Sequence, residues 1–235
     1  MTRSITIVIP TYNERANLES IVTDLIDRLP GSCVVVVDDN SPDGTGRLAD
    51  DLSHRYPGIS VIHRGSKDGI GPAYIAGFAR ALEQGADLVA AMDADGSHSP
   101  ADLVKMIEVA EHADLVIGSR YVPGGATVGW PWSRRVLSRF GGLYARLILG
   151  APFSDLTSGF KVYRRDALQR LPLTQIRSDG YGFQIETTWY IWRAGLRVRE
   201  APITFHDRIA GKSKLSRRIV FEAMIMVWRL RLARR

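Results

Sequence analysis

Short apolar runs recur along the first half of the chain, and each is bounded by Gly, Pro, Asp or Asn. Runs of this length that are rich in β-branched residues are typical of buried strands. The sequence therefore predicts strands at Ile5 to Ile9, Cys33 to Val37, Ile59 to Ile62, Leu88 to Met92 and Leu115 to Ile117.

Between these runs, apolar residues recur at intervals of three and four, which places them on one face of a helix. The pattern includes Leu18, Ile21, Val22, Leu25, Ile26 and Leu29, then Ile75, Phe78, Ala79 and Leu82, then Leu103, Ile107 and Ala110 after Pro100. Alternating strands and helices predict an α/β fold in which helices flank a mostly parallel sheet. A chain of 235 residues suits one such domain.

The second half is less regular, with a basic amphipathic stretch from Arg134 to Leu149 and an aromatic segment from Tyr181 to Trp192. The final apolar run, Ile219 to Trp228, is shorter than the ~20 residues that a spanning helix needs. We expect one domain over residues 1–215. A basic amphipathic C-terminal helix over residues 216–235 would belong to it or contact a membrane or a partner.

Positive charge is concentrated at the end of the chain. The net charge is +6, and the segment from His206 to Arg235 holds nine basic residues against Asp207 and Glu222. This localisation argues against a nucleic-acid partner and favours phosphate groups or an anionic membrane surface. A solvated charged tail is the plain alternative.

Cys33 is the single cysteine, so no intrachain disulfide can form and a reducing compartment is the simpler interpretation. The start of the chain passes directly into the first predicted strand without the apolar core of a signal peptide. We expect a cytoplasmic protein.

Three polar clusters directly follow predicted strands: Thr11 to Glu14, Asp38 to Ser41, and Asp93 to Asp95. In sheets of this kind, ligands bind beyond the carboxyl ends of the strands. The three clusters are therefore expected to meet at one rim and to form a ligand site.

The sequence Asp93-Ala94-Asp95 carries the clearest chemistry of the three clusters. Two carboxylates at a strand end can face a hard divalent cation together with ligand phosphates, and such a cation neutralises charge on a departing pyrophosphate. The alternative is that these acids only end a strand before the helix that begins at Pro100.

The first two clusters suit a nucleoside. The ring of Tyr12 can flank a base, and the carboxylates of Glu14 and Asp39 can accept hydrogen bonds from base or ribose groups. Ordinary turn chemistry is the alternative for each cluster, although it does not explain the paired aspartates Asp38 and Asp39.

The order of these three clusters resembles family 2 glycosyltransferases of the GT-A fold, a Rossmann-like α/β architecture. Later segments are similar to dolichol-phosphate (polyprenol-phosphate) mannosyltransferases. The resemblance covers nearly the whole chain, and these later segments are Gly118 to Tyr121, Gly129 to Pro131 with Arg134 and Ser138, Asp155 to Phe160, and Asp207 to Leu215.

The resemblance implies GDP-mannose as the donor and Mg²⁺ or Mn²⁺ as the cofactor. The nucleotide pocket would comprise Pro10, Tyr12, Glu14, Val37 and Asp39, and the diphosphate and metal site Asp93, Ala94 and Asp95. Arg208 and Lys214 match a basic pair that meets the donor phosphates. Ser97 stands where some members carry a glutamine metal ligand, so its role as a third ligand departs from part of the family.

By the same resemblance, Arg120, Arg134 and Ser138 bind the phosphate of a polyprenyl (dolichyl-type) monophosphate acceptor. Guanidinium groups and a hydroxyl suit a phosphate monoester, and ordinary surface charge is the alternative. A phosphate with a second pKa of ~6 needs no strong general base. In-line attack would invert the configuration at the anomeric carbon and give a β-linked mannosyl phosphate. The catalytic residues would be Asp95, Arg120, Arg208 and Lys214.

A related family 2 transferase that uses UDP-glucose or another nucleotide-sugar donor on a lipid phosphate is the main alternative function, and a non-catalytic nucleotide-sugar sensor is another. A nicotinamide enzyme is disfavoured because Gly69-Ile70-Gly71 lacks the third glycine of that fingerprint. We expect peripheral binding at the cytoplasmic face of a membrane, and an anchoring membrane-embedded protein is left open. A basic loop hinged at Gly211 is a candidate lid.

Overall fold

A computed structural model describes residues 3–176, 178–207 and 217–232. Its strands are β1 Ile5–Thr11, β2 Cys33–Asp38, β3 Ile59–His63, β4 Leu88–Ala91, β5 Leu115–Ser119, β6 Ala126–Val128, β7 Lys161–Arg164, β8 Val198–Pro202 and β9 Thr204–His206. Its helices are α1 Arg15–Arg28, α2 Thr45–Arg55, α3 Ile70–Glu83, α4 Pro100–Val109, α5 Trp132–Leu149, α6 Arg165–Gln169, α7 Gly180–Arg193 and α8 Arg217–Leu232. The five predicted strands and the three helices predicted from apolar spacing are confirmed.

Seven strands form one sheet in the order β3-β2-β1-β4-β7-β5-β8. All neighbours are parallel except β7, which lies antiparallel between β4 and β5. Strands β6 and β9 pair separately as a small parallel ribbon. The predicted α/β fold with a mostly parallel sheet is therefore confirmed, and β7, which the sequence pattern did not predict, completes its centre.

Alternate residues of the central strands face two separate cores. On one face, Ile7 and Val36 pack with apolar residues of α1, α2 and α4. On the other face, Val8 and Val35 pack with residues of α3, α5 and α7. Each strand is buried on both faces, which explains why the apolar runs in the sequence are continuous and not alternating.

Helix α3 lies directly on β1. A β-carbon at Gly77 would collide with the side chain of Val8, so this glycine permits the close approach of helix and strand. The first residue of α3, Ile70, lies at the rim where β1 and β4 end.

Helices α5 and α8 lie next to each other, and the hydroxyl of Tyr144 donates to the carbonyl of Met224 over 3.3 Å. None of the helices in the described ranges has the length and apolar composition needed to cross a bilayer. The stretch predicted as basic and amphipathic, residues 134–149, forms most of α5, which buries Ala145 and Leu149 and leaves the apolar side chains of Phe140 and Leu147 exposed.

Candidate active site

The carboxyl ends of β1, β2 and β4 meet at one edge of the sheet. Thr11 and Asp38 are register partners at the ends of β1 and β2. Beyond them lies a cavity of about 420 Å³. Its lining includes the predicted residues Pro10, Tyr12, Glu14, Asp39, Asp93, Ala94 and Asp95. The sequence clusters therefore converge as predicted.

The paired aspartates have different roles. Asp38 is a structural acceptor, because its carboxylate receives hydrogen bonds from the hydroxyl of Thr11 at 3.0 Å and from the hydroxyl and backbone N–H of Ser41 at 2.6 and 3.0 Å. Asp39 lines the cavity, where its Oδ1 lies 2.7 Å from Nη1 of Arg64. Burial raises the pKa of Asp39, and the adjacent Arg64 guanidinium opposes that shift.

The ring of Tyr12 borders the same end of the cavity. The ammonium of Lys67 lies 3.8 Å from the ring centroid, a cation–π contact, and Lys67 also lines the cavity. Glu14 accepts a hydrogen bond from the amide of Asn17 at 3.0 Å. This end of the cavity therefore offers an aromatic face, two carboxylates and a cation to a ligand.

Asp93 is held by two buried rings. The hydroxyl of Tyr74 donates to its Oδ1 over 2.8 Å, and its backbone N–H donates to Nδ1 of His98 over 3.0 Å. The imidazole of His98 stacks on Phe160 with 4.5 Å between ring centroids. These contacts fix the carboxylate of Asp93 before any ligand arrives.

Asp95 is almost fully buried, and its Oδ1 accepts the backbone N–H of Ser97 at 3.1 Å. The hydroxyl of Ser97 is buried and has no hydrogen-bond partner in the described ranges. Ser97 does not line the cavity, so the cavity wall itself offers the carboxylates of Asp93 and Asp95, hard oxygen ligands of the kind that Mg²⁺ or Mn²⁺ takes.

Nowhere in residues 3–176, 178–207 and 217–232 do three His, Cys, Asp or Glu side chains group so that they could hold a metal ion by themselves. A cation at Asp93 and Asp95 would therefore need oxygens from a ligand. Mg²⁺ is commonly bound in this way, through one or two carboxylates together with substrate phosphates. The residues present fit a cation that arrives with a diphosphate.

The remaining wall of the cavity was not among the predicted site residues. It is formed by Thr157, Gly159, Asp179, Gly180, Tyr181 and Gln184, together with Lys67, Gly69 and Ile70. The carboxylate of Asp179 accepts the backbone N–H of Gly71 at 2.9 Å, which ties the start of α3 to the start of α7. The signals in the sequence were the family-like segment Asp155 to Phe160 and the aromatic segment from Tyr181 to Trp192, which lies in α7.

Arg120, Arg134 and Ser138, which we predicted to bind the acceptor phosphate, lie in one cluster. Tyr121 links two of them, since its hydroxyl donates to Ser138 over 2.7 Å and its ring centroid lies 5.2 Å from the Arg120 guanidinium. Trp130 links the arginines, with its ring 5.5 Å from Arg120 and 4.0 Å from Arg134. The structure therefore brings the three residues together.

Arg120 is buried and ion-paired, so it is not the ordinary surface charge that was the alternative to a phosphate ligand. It is 5% exposed and bound at two points by Asp155, and its Nη2 also donates to Thr157 over 2.9 Å. Burial lowers the pKa of Arg120, but the charge of Asp155 and the hydrogen bonds to its carboxylate together contribute to a net rise above the ordinary value. Through Thr157, this ion pair reaches the wall of the cavity.

Four other predicted residues are not in the cavity wall as described. Ser97, predicted as a third metal ligand, is fully buried behind that wall. The side chain of Val37 is fully buried in the core on the α3 face of β2, so any contact with a nucleotide would not come from that side chain. Arg208 and Lys214, and with them the candidate lid around Gly211, lie outside the described residues.

Comparison with known proteins agrees with this geometry. The model of the family described as glycosyl transferase family 2 matches residues 6–171. An undecaprenyl-phosphate mannosyltransferase of Micrococcus luteus is 50% identical over 97% of this chain and 94% of its own length. A polyprenol monophosphomannose synthase of Mycolicibacterium smegmatis is 47% identical over 96% of this chain and 86% of its own length.

Among solved structures, the chain is similar to glucosyl-3-phosphoglycerate synthase from Mycobacterium tuberculosis, crystallised with Mn²⁺, UDP and glucosyl-3-phosphoglycerate. The TM-score is 0.70, with 21% sequence identity over 97% of this chain and 80% of that one. At this identity the likeness bears on the fold alone.

Proposed function

The chain belongs to glycosyl transferase family 2, and from that premise we propose that it transfers mannose from GDP-mannose to a polyprenyl monophosphate. The observation that carries the proposal is the convergence of Tyr12, Asp39, Asp93 and Asp95 on one cavity. The names of the two bacterial relatives support mannose as the sugar and a polyprenyl phosphate as the acceptor.

The donor would lie along the rim of the sheet. Its base would occupy the end formed by Tyr12 and Asp39, and its diphosphate would lie at Asp93 and Asp95 beside Ala94. Asp93, Asp95 and Ser97 would hold a Mg²⁺ or Mn²⁺ ion, which supplies charge neutralisation as the sugar–phosphate bond breaks. Arg208 and Lys214 remain proposed partners of the same phosphates.

The acceptor phosphate would bind at the cluster formed by Arg120, Arg134 and Ser138. Arg134 pairs with Asp207 at 2.7 Å, and both side chains of that pair are partly exposed, so a phosphate dianion can replace Asp207 at little cost. Arg120 would keep Asp155 and act mainly through its positive charge. Its buried pair is too costly to open, because a charge would be left without compensation.

Transfer needs no general base in this scheme. A phosphate monoester is largely ionised at neutral pH, and its oxygen can attack the anomeric carbon directly. The protein would contribute orientation and fixed charge, which are the main terms in such a displacement. Attack opposite the departing GDP would invert the configuration at the anomeric carbon and give polyprenyl β-D-mannosyl phosphate. The one-bond coupling between C1 and H1 in an NMR spectrum of the product would verify this configuration.

Membrane binding is proposed from α5. Trp132, Phe140 and Leu147 are 77%, 66% and 72% exposed on this helix, which also carries several arginines. Exposed apolar side chains beside basic ones are typical of a helix that lies in the headgroup region of a bilayer. We propose peripheral attachment at the cytoplasmic face, where the prenyl chain of the acceptor would be within reach of Arg134 on the same helix.

The proposal is tested by offering two radiolabelled donors, GDP-mannose and UDP-glucose, in separate reactions with a short polyprenyl phosphate. We expect label in the organic phase from GDP-mannose, and inhibition of that transfer by GDP at concentrations where UDP has no effect. Glucolipid formed from UDP-glucose, without mannolipid from GDP-mannose, would instead support the UDP-glucose transferase.

A further inference from the structure

Gln184 lies in the wall of the cavity next to Asp93. It is on the second turn of α7 and only 4% exposed, yet it lines the cavity. A β-carbon placed on Gly159 would lie 3.3 Å from Nε2 of Gln184 and 3.9 Å from Oδ2 of Asp93. The amide of Gln184 and the carboxylate of Asp93 therefore border the same glycine, and the absence of a side chain there keeps space open between them.

The amide oxygen of Gln184 has an unmet requirement. Oε1 is buried and accepts no hydrogen bond from the described parts of the chain. A buried carbonyl oxygen without a donor is unfavourable, and in native structures such an atom is explained by strain, a catalytic role or a bound water or ion. Rotation of the amide about its last side-chain bond exchanges Oε1 with Nε2, the atom beside Gly159, and a ligand hydroxyl in the cavity would then satisfy the oxygen.

The backbone carbonyl of Gln184 accepts a hydrogen bond from a buried lysine. Lys161 of β7 is fully buried, and its ammonium donates to the carbonyl of Gln184 over 2.5 Å and to the hydroxyl of Thr187 over 3.1 Å. Burial lowers the pKa of Lys161 well below its ordinary value. An apolar side chain would fill this position at a lower cost in desolvation, so core packing alone does not explain a lysine here.

Lys161 also stands between the two halves of the site. It is on the strand that follows Gly159 and Phe160, and it contacts the helix that carries Gln184. It therefore fixes the distance between the turn beside Asp93 and the wall formed by α7.

We propose that Gln184 hydrogen-bonds a hydroxyl of the sugar that is transferred, and that Lys161 is a positioning residue that fixes Gln184. The inference rests on the proposed function, because it assigns the sugar-binding part of the same cavity. A neutral amide suits this place, since it can donate to one sugar hydroxyl and accept from another without competing with Asp93 for a cation. The nucleotide and the acceptor phosphate are assigned to other residues.

The first test compares Gln184→Met, which keeps the size of the side chain and removes its hydrogen-bonding groups, with wild type and with Gln169→Ala on the exposed surface of α6. Calorimetry measures the affinity for GDP and for GDP-mannose, and the ratio of the two gives the contribution of the sugar. We expect Gln184→Met to lose at least tenfold in that contribution and in kcat/KM for GDP-mannose, with GDP affinity within twofold of wild type. Gln169→Ala should match wild type in both.

Equal sugar contributions in wild type and Gln184→Met would overturn the inference. Failure of the proposed function is a different result: a wild-type protein that binds the sugar of GDP-mannose but transfers it to no polyprenyl phosphate. If Gln184→Met does not fold, Gln184→Leu decides the question by the same ratio, because it also lacks both the amide oxygen and the amide nitrogen.

The second test separates positioning from structural support. Lys161→Met should lower kcat/KM for GDP-mannose by about the same factor as Gln184→Met, and the double variant should lose little more, because both changes act on one contact. The urea midpoint of Lys161→Met should equal or exceed that of wild type. A lower midpoint with unchanged kcat/KM would show that Lys161 only stabilises the fold and would overturn its positioning role.

Discussion

The guanidinium of Arg120 meets the carboxylate of Asp155 in a buried two-point ion pair, with Nη2 2.6 Å from Oδ1 and Nε 2.7 Å from Oδ2. Asp155 also accepts the backbone N–H of Arg120 at 3.0 Å. The pair connects the end of β5 with the turn before β7, and Thr157 extends it to the cavity wall. A residue that the sequence suggested as a ligand for phosphate is therefore also part of the framework of the site.

Asp155→Asn should destabilise the protein strongly. The substitution leaves the charge of Arg120 buried without its partner, which typically costs about 3–5 kcal/mol. Urea unfolding at pH 7 would measure the loss in free energy of unfolding. Asp24→Asn, which breaks the exposed pair between Asp24 and Arg28, is the control and should cost less than about 1 kcal/mol. Equal losses in the two variants would contradict this account of the pair.

Tyr74→Phe should weaken metal use more than it weakens the fold. It removes the 2.8 Å hydrogen bond that orients Asp93 and leaves the aromatic packing in place. Loss of such a supporting contact typically costs 10–100-fold in metal affinity, and we expect about tenfold in the Mg²⁺ or Mn²⁺ concentration for half-maximal activity. Tyr144→Phe, which removes the hydrogen bond between α5 and α8 outside the cavity wall, should leave that concentration unchanged. An unchanged metal requirement in Tyr74→Phe would separate Asp93 from the cation.

Arg134→Ala should affect the acceptor and spare the donor. Its guanidinium lies 4.0 Å from the Trp130 ring and pairs with Asp207, outside the wall of the cavity. We expect KM for a short polyprenyl phosphate to rise about tenfold or more, since a charge-assisted contact with phosphate contributes about 1.5–3 kcal/mol, with KM for the donor within twofold. Arg28→Ala on the far surface is the matched control. A rise in donor KM alone would place Arg134 with the nucleotide.

The pair between Asp114 and Arg197 predicts a pH dependence of stability. Hydrogen bonds from the guanidinium and backbone N–H of Arg197 hold the pKa of Asp114 below its ordinary value of 3.8. A carboxyl with a depressed folded-state pKa stabilises the protein above its unfolded-state pKa, and this contribution is lost as the pH falls through the folded-state pKa. Asp114→Asn should therefore lose about 1 kcal/mol at pH 7, and the difference from wild type should shrink below about pH 4. A constant difference from pH 7 to pH 3 in urea unfolding would contradict the pairing.

The exposed face of α5 predicts membrane affinity. Replacing both Phe140 and Leu147 with Ser should reduce co-sedimentation with anionic vesicles about tenfold or more, because each apolar side chain contributes about 1.5–3 kcal/mol when buried. Activity on a short, detergent-soluble acceptor should stay close to wild type, which distinguishes lost docking from lost folding. Unchanged sedimentation would remove α5 from the membrane contact.

Much of the fold could be predicted because each strand that ends at the rim is buried on both faces and is therefore one continuous apolar run in the sequence. The clusters that follow β1, β2 and β4 then had to meet, since parallel neighbours end at one edge. Strand β7 escaped prediction because it is four residues long and begins with a fully buried lysine, a residue that pattern analysis assigns to the surface.

The remaining wall of the cavity could not be predicted for a related reason. Gln184, Thr187 and Thr188 are buried in α7, where their polar side chains break the apolar periodicity without indicating a site. Asp155 lies 35 positions from Arg120, so the pair between them depends on the fold and not on any local spacing.

The measurement that tests the account most directly is the transfer of radiolabel from GDP-mannose to a short polyprenyl phosphate, with and without chelator, by wild type and Asp95→Asn. The account predicts organic-soluble mannolipid from wild type, loss of that product with chelator, its recovery on adding Mg²⁺ or Mn²⁺, and at least a hundredfold lower rate for Asp95→Asn. Mannolipid formed at the wild-type rate by Asp95→Asn, or formed equally in the presence of chelator, would contradict the assignment of this cavity as a metal-assisted mannosyl-transfer site.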